Sequence, residues 1–182
     1  MTDTGEHDGR EFEDHNNRKE LFDDVPFVAD SAFVSEQAYL IGDVALGPRS
    51  SVWPFVCLRG EDVPVTVGEG SNVQEFTMLH GADIGSSVTI GHGVVVDYAT
   101  VGASSLIGMG SSVLRGATVE PNCIVAAGAV VLQDQTIPEG HLAYGTPAET
   151  KPLTDGQRAE IERVTDHYVD LSRSYKETGR FE

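Results

Sequence analysis

The sequence predicts an all-β chain folded as a parallel β-helix, with one α-helix near its C-terminal end. Two observations support this class. Aliphatic residues recur every six residues from Val28 to Ile137, a period that fits neither the roughly 3.6 residues of an α-helix nor the two of a lone strand. After Pro147 this period stops and a helical spacing replaces it.

The six-residue repeat defines the architecture. Each unit is a short strand and a turn that cannot bury its own aliphatic residue, so successive coils must stack and bury it together. Three steps depart from six: Leu58 to Val67 is longer, whereas Leu79 to Ile84 and Val96 to Val101 are shorter. Three units in each coil give a triangular prism. The aliphatic series is Val28, Val34, Leu40, Leu46, Val52, Leu58, Val67, Val73, Leu79, Ile84, Ile90, Val96, Val101, Ile107, Val113, Val119, Val125, Val131 and Ile137.

Two other positions of the repeat have a restricted composition. The fourth residue after the aliphatic is usually small or β-branched, which suits a narrow interior. Glycine often follows the aliphatic directly, as at Gly68 and Gly108. We expect these glycines to provide the positive φ that a corner requires.

The chain divides into three segments. Residues 1–24 are acidic and poor in aliphatic residues, so we expect a disordered acidic arm. Residues 25–147 form the prism, and residues 148–182 form a linker and the C-terminal helix. Thr154 and Asp155 are a typical helix start, and Gly179 is a typical stop.

Charge and composition exclude several function classes. The 29 acidic and 12 basic residues give a net charge of −17, which argues against binding nucleic acid. This balance suits a halophilic cytoplasm, where salt screens self-repulsion, and an ordinary acidic protein is the alternative. Cys57 and Cys123 both lie in repeat units and suggest no disulfide. With no long apolar run and no basic, apolar N-terminus, we expect a cytoplasmic protein without a membrane anchor.

Polar residues form two columns when the coils are placed in register. Arg59, His80 and Asp97 each follow the aliphatic of their unit and lie on one side of the prism. Glu75 and His92 form a second column on the next side. One chain cannot bring these columns together, so the pattern predicts a homotrimer in which neighbouring chains do.

The motifs around these columns resemble those of the gamma-class carbonic anhydrases, from about Val25 to Tyr175. The matching segments are Arg59-Gly60-Glu61, Asn72-Val73-Gln74-Glu75, Met78-Leu79-His80 and Ile90-Gly91-His92. The resemblance implies a left-handed β-helix and a trimer.

The resemblance also implies a metal centre and a reaction. In that family three histidines from two subunits hold zinc at each trimer interface, and the matching positions here are His80, His92 and Asp97. Two imidazoles and a carboxylate suit zinc, and iron(II) is also possible. The implied reaction is the reversible hydration of carbon dioxide to bicarbonate by metal-bound hydroxide.

The resemblance assigns further roles beside the metal. Gln74, Glu75 and Tyr168 are expected in the catalytic site. Arg59 and Glu61 are expected to pair and to hold the interface.

Two other function classes stay open. Aspartate at the third metal position also fits a catalytically silent trimer that serves as a scaffold or assembly subunit. Gly145-Thr146-Pro147-Ala148 resembles the segment that ends the repeat of hexapeptide acyltransferases, although the chain lacks their long projecting loop.

Overall fold

The computed structural model describes residues 25–179, so the predicted N-terminal arm lies outside the described residues. Within these residues the chain forms a β-helix followed by one helix, α1 (Asp155–Thr178). The strands are β1 Phe27–Val28, β2 Phe33–Val34, β3 Tyr39–Leu46, β4 Ser51–Val52, β5 Cys57–Val67, β6 Asn72–Val73, β7 Met78–His80, β8 Asp83–Ile84, β9 Thr89–Ile90, β10 Val95–Asp97, β11 Thr100–Val101, β12 Leu106–Ile107, β13 Ser112–Val113, β14 Thr118–Val119, β15 Ile124–Val125, β16 Val130–Val131, β17 Thr136–Ile137, β18 His141–Tyr144 and β19 Glu149–Pro152.

The strands stack into three faces. Face 1 contains the first half of β3, the first half of β5, β7, β10, β13 and β16. Face 2 contains β1, the second halves of β3 and β5, β8, β11, β14 and β17. Face 3 contains β2, β4, β6, β9, β12, β15, β18 and β19. All pairings are parallel except that of β18 with β19, which lies in the predicted linker.

The predicted aliphatic series forms the core. Leu58, Leu79 and Val96 stack in register on face 1 and are fully buried, as are Val73 and Ile90 on face 3. Small residues fill the rest of the interior, and their hydroxyls bind backbone carbonyls. Thr77 Oγ1, for example, donates to Gly91 O at 2.9 Å. The interior therefore leaves these polar groups satisfied.

All three departures from the six-residue period fall at the corner between faces 1 and 2. The register of β3 with β5 shifts between Gly42 and Val44, because β5 carries three extra residues within Glu61–Pro64. The next two coils turn the same corner with one residue fewer, between β7 and β8 and between β10 and β11. Faces 1, 2 and 3 stay in phase despite these changes.

The prediction that glycines after the aliphatic have positive φ is wrong. Gly68 and Gly108 do not adopt positive φ; instead, an added Cβ would lie 2.5 Å from the backbone of the next coil. Glycine is required there by the close approach of stacked backbones. Positive φ occurs later in the turn, at Gly70 and Gly110 and at several non-glycine residues.

Helix α1 begins and ends where the sequence predicts. Thr154 is its N-cap and forms a capping box with Gln157, and Gly179 closes it in the left-handed conformation. The helix packs on face 3, where Trp53 meets the rings of Tyr168 and Tyr175. In the part of the chain that the structure describes, no helix is long and apolar enough to cross a membrane.

Candidate functional site

His80 and Asp97 lie in contact at the corner between faces 1 and 2. They end β7 and β10, which pair so that Asp97 stacks directly on His80, with Arg59 on the coil before. His80 Nδ1 lies 2.9 Å from Asp97 Oδ1. Both side chains are partly accessible, His80 less than Asp97.

Three further residues form a cluster with His80, and none of them was predicted from the sequence. The Tyr98 hydroxyl lies 3.1 Å from His80 Nε2 and donates to Asp62 Oδ2 at 2.5 Å. The guanidinium of Arg115 lies over the Tyr98 ring, 3.7 Å from its centroid. Both ring nitrogens of His80 therefore have an oxygen neighbour. The extra length of the unit between Leu58 and Val67 was the available sequence signal, because those added residues bring Asp62 to this corner.

The pKa values of Asp62 and Tyr98 move in opposite directions. Burial tends to raise the pKa of Asp62, but the hydrogen bonds from Tyr98 and from the backbone outweigh it and lower that pKa. Burial raises the pKa of Tyr98, and the hydrogen bond to Asp62 raises it further. At neutral pH the pair is therefore a phenol that donates to a carboxylate.

Arg59 and Glu61 form the predicted pair beside His80. Arg59 Nε and Nη2 both donate to Glu61 Oε1, at 3.0 and 2.9 Å. This hydrogen bond, together with the Glu61 charge, raises the pKa of Arg59. The other oxygen, Glu61 Oε2, is buried and has no hydrogen-bond partner within residues 25–179.

Glu75 and His92 lie at a different corner, between faces 3 and 1. They follow β6 and β9, which are in register, and His92 Nδ1 lies 2.7 Å from Glu75 Oε2. His92 is 45% exposed and Glu75 31%. The predicted second column is therefore present, with its imidazole accessible at the edge of the prism.

Gln74 and Tyr168 lie near this second corner. Gln74 is buried, and its Nε2 donates to Asn72 Oδ1 at 3.0 Å, while Asn72 donates to Thr89. Burial, and to a lesser degree the charge of Glu75, raise the pKa of Tyr168. Gln74, His92 and Tyr168 line a cleft of about 450 Å³ between the prism and α1.

A single chain does not assemble the predicted metal ligands. The structure brings Asp97 to His80 but leaves His92 on another corner, and residues 25–179 contain no group of three or more His, Cys, Asp and Glu side chains placed to hold a metal. The donor types nevertheless fit zinc or iron(II), with two imidazoles and a carboxylate. His80 can contribute a nitrogen only when one of its present neighbours moves away.

The outward surface of face 1 is apolar. Tyr39 and Val95 are exposed on it, and Leu132 is exposed at its corner with face 2. Phe55 stacks on Phe76 at its other edge, with ring centroids 5.2 Å apart. Helix α1 covers face 3. Face 2 differs again, because Thr66, Thr100, Thr118 and Thr136 recur on its outer surface.

Known proteins with similar sequences and structures agree with this architecture. A family model for the bacterial transferase hexapeptide (six repeats) matches residues 98–133. A solved structure of a hexapeptide transferase family protein from Anaplasma phagocytophilum is 35% identical, with a TM-score of 0.81 over 82% of this chain and 92% of that chain.

Two curated relatives carry a more specific name. Gamma carbonic anhydrase 1, mitochondrial, of Arabidopsis thaliana is 38% identical over 88% of this chain, which spans 63% of the plant protein. A carbonic anhydrase of Geobacillus kaustophilus is 34% identical over 84% of this chain and 87% of its own length. The chain therefore belongs to the gamma-class carbonic anhydrase-like family of hexapeptide-repeat proteins.

Proposed function

We propose that this protein is a trimeric metalloenzyme that catalyses the reversible hydration of carbon dioxide, with zinc held between subunits. The observation that carries the proposal is the pair of imidazole–carboxylate contacts, His80 with Asp97 and His92 with Glu75, at the two edges of one apolar face. The relatives named carbonic anhydrase support the same reaction. Iron(II) is the alternative metal.

Face 1, which helix α1 leaves exposed within residues 25–179, supports the trimer. Its apolar outer surface carries His80 and Asp97 at one edge and reaches the corner of Glu75 and His92 at the other. A second copy packed there in a three-fold arrangement would bury this surface and bring His92 toward His80 of its neighbour. The occupant we propose is another copy of this chain, because the ligand set is incomplete without it.

The ligand residues proposed are His80 and Asp97 of one subunit and His92 of the next. Zinc, when bound, supplies a Lewis acid that makes water a nucleophile at neutral pH. Glu75 accepts a hydrogen bond from His92 Nδ1 and orients that imidazole. The carboxylate of Asp97 would add a negative charge to the ligand set. Water activated by a bound zinc would then be less acidic than with three histidine ligands.

The proposed catalytic residues act by orienting the reactants and by shaping the cleft around them. Because Asn72 and Thr89 fix the amide of Gln74, that side chain can hold the attacking oxygen in one orientation. Tyr168 and α1 form one wall of the cleft that contains His92. Arg59 and Glu61 are proposed to hold the interface rather than to contact substrate.

Substitution of Asp97 tests the ligand set. If Asp97 binds the metal, Asp97→Ala should reduce zinc per chain and Asp97→His should raise both zinc affinity and carbon dioxide hydration, because neutral imidazole leaves the metal more electrophilic. The measurements are elemental analysis and stopped-flow hydration on the purified oligomer.

Two separate histidine substitutions test whether the site lies at the interface. His92→Ala should empty the site while the prism stays folded, whereas His141→Ala, on β18, should leave metal content unchanged. Equal zinc in wild type and Asp97→Ala, with no gain from Asp97→His, would rule out Asp97 as a ligand.

Two alternatives have a specific observation in their favour. A silent scaffold trimer is favoured by the engagement of both His80 nitrogens within one chain. It predicts an oligomer without metal or activity. An acyl transfer reaction is favoured by the solved hexapeptide transferase relative. It predicts binding of acetyl coenzyme A, which isothermal titration would detect.

A further inference from the structure

Tyr98 occupies a backbone position that glycine fills on neighbouring coils. At the corner between faces 1 and 2, Gly42, Gly81 and Gly116 have positive φ, and Tyr98 has φ 47°. A bulky aromatic residue rarely adopts this conformation; in this chain Phe55 and Phe76 also adopt it, at the corner between faces 3 and 1. The surroundings of Tyr98 therefore indicate what holds it there.

The Tyr98 hydroxyl lies between His80 and Asp62. It is 3.1 Å from His80 Nε2 and donates its proton to Asp62 Oδ2 at 2.5 Å. The two rings also contact, with centroids 4.4 Å apart and tilted by 65°. Asp97 contacts Nδ1 of His80, and the Tyr98 hydroxyl contacts the other ring nitrogen, Nε2.

Three separate features keep the Tyr98 ring in this place. Gly81 leaves room for it, since a Cβ there would lie 2.8 Å from the ring. Arg115 covers the ring at 3.7 Å. The extra residues of β5 bring Asp62 to the hydroxyl. A contact that depends on three elements is unlike a chance surface hydrogen bond.

We propose that Tyr98 is an intramolecular clamp that withholds Nε2 of His80 from a metal ion. This inference rests on the proposed function, in which His80 is a ligand. Metal binding through Nε2 then requires the hydroxyl to leave His80, so the clamp lowers zinc affinity. Tyr98 is a positioning residue here, because it acts through His80.

Removal of one hydroxyl tests the clamp. Tyr98→Phe keeps the ring under Arg115 but frees His80 Nε2, so zinc should bind about tenfold more tightly in a competition titration. Tyr98→Gly, which restores the residue used on neighbouring coils, should bind at least as tightly as Tyr98→Phe. Tyr144→Phe is the matched control, because Tyr144 also lies under a cation, Lys151, and beside a carboxylate, Glu149.

A second measurement needs no metal. In the metal-free oligomer, the ¹⁵N shift of His80 Nε2, assigned by its loss in His80→Ala, should change in Tyr98→Phe and not in Tyr144→Phe. An unchanged shift in Tyr98→Phe would overturn the clamp. A changed shift without tighter zinc binding, where wild type binds zinc, would overturn its effect on metal loading. A changed shift where no variant binds zinc would support the contact and defeat the proposed function instead.

Discussion

At the scale of single residues, Glu61 has an unusual environment. Its Oε1 accepts two hydrogen bonds from Arg59, while its Oε2 is buried without a hydrogen-bond partner in the described part of the chain. A buried acceptor without a partner costs about 1–3 kcal/mol. A donor from a second subunit would remove that cost, which makes Glu61 a sensitive probe of the proposed interface.

Loss of the Glu61 carboxylate should weaken the proposed trimer. Glu61→Ala leaves the Arg59 guanidinium unpaired beside face 1, so we expect the dissociation constant of the trimer to rise at least about tenfold, or about 1.4 kcal/mol. Sedimentation velocity over a concentration series measures this.

Glu160→Ala is the matched control for that substitution. It breaks another Arg–Glu pair, with Arg163 at 2.6 Å, on an exposed turn of α1. Exposed pairs contribute little, so this variant should assemble like wild type. Equal dissociation constants for the two variants would show that Glu61 does not contribute to the interface.

At the scale of elements, the stacking of coils depends on glycines that follow the aliphatic. An added Cβ at Gly68 would lie 2.5 Å from the backbone of Gly85, and backbone atoms cannot move aside as a flexible side chain does. Stacked coils approach at the strand spacing of roughly 4.8 Å, which leaves no room for a side chain that points at the next coil.

Alanine at Gly68 should therefore destabilise the prism. Overpacking typically costs about 1–3 kcal/mol, and a backbone clash should reach the upper part of that range. Gly156→Ala is the control, because nothing lies within 4 Å of its added Cβ in the first turn of α1. There the helix preference for alanine should stabilise the protein by up to about 1 kcal/mol. Urea unfolding followed by circular dichroism compares the two, and equal stabilities would contradict the steric explanation.

The repeat made most elements predictable from the sequence, because one aliphatic position sets the register of every coil. Counting units placed Asp97 on His80 and His92 beside Glu75, and both contacts are present. The helix start at Thr154 followed from its capping residues. Local rules were sufficient for these features.

The corner cluster of Asp62, Tyr98 and Arg115 was not predictable in the same way. Its contacts depend on how three added residues bulge from β5, and on a tyrosine in a conformation that sequence rules reserve for glycine. The strand β19 was also missed, since its pairing with β18 follows a turn rather than the repeat. The corner cluster thus arises from tertiary packing, whereas β19 arises from a local hairpin.

At the scale of the whole molecule, the most prominent property is the large negative net charge. The chain has a net charge of −17, and several of its 12 basic side chains are already paired, such as Arg49 with Glu69 and Arg173 with Asp170. The remaining carboxylates repel one another across the compact body. Salt reduces this repulsion, because the Debye length falls from about 10 Å at 0.1 M to about 3 Å at 1 M.

Stability should therefore increase with potassium chloride. We expect the melting temperature to rise by several degrees between about 0.1 M and 1 M and then to level off, as the charges become screened. Differential scanning calorimetry measures it. A flat profile would contradict the prediction, while a steady rise beyond 1 M would indicate exclusion of salt from the surface rather than screening.

The confinement of every irregular step to one corner has a consequence for how this molecule can change. A corner that gains or loses residues without shifting the faces beside it behaves as an independent insertion point, because the aliphatic columns on either side keep their phase. Side chains near His80 can be exchanged, lengthened or removed there while the stack that supports them stays intact. The same fold can thus vary its chemistry at one edge without redesigning its core.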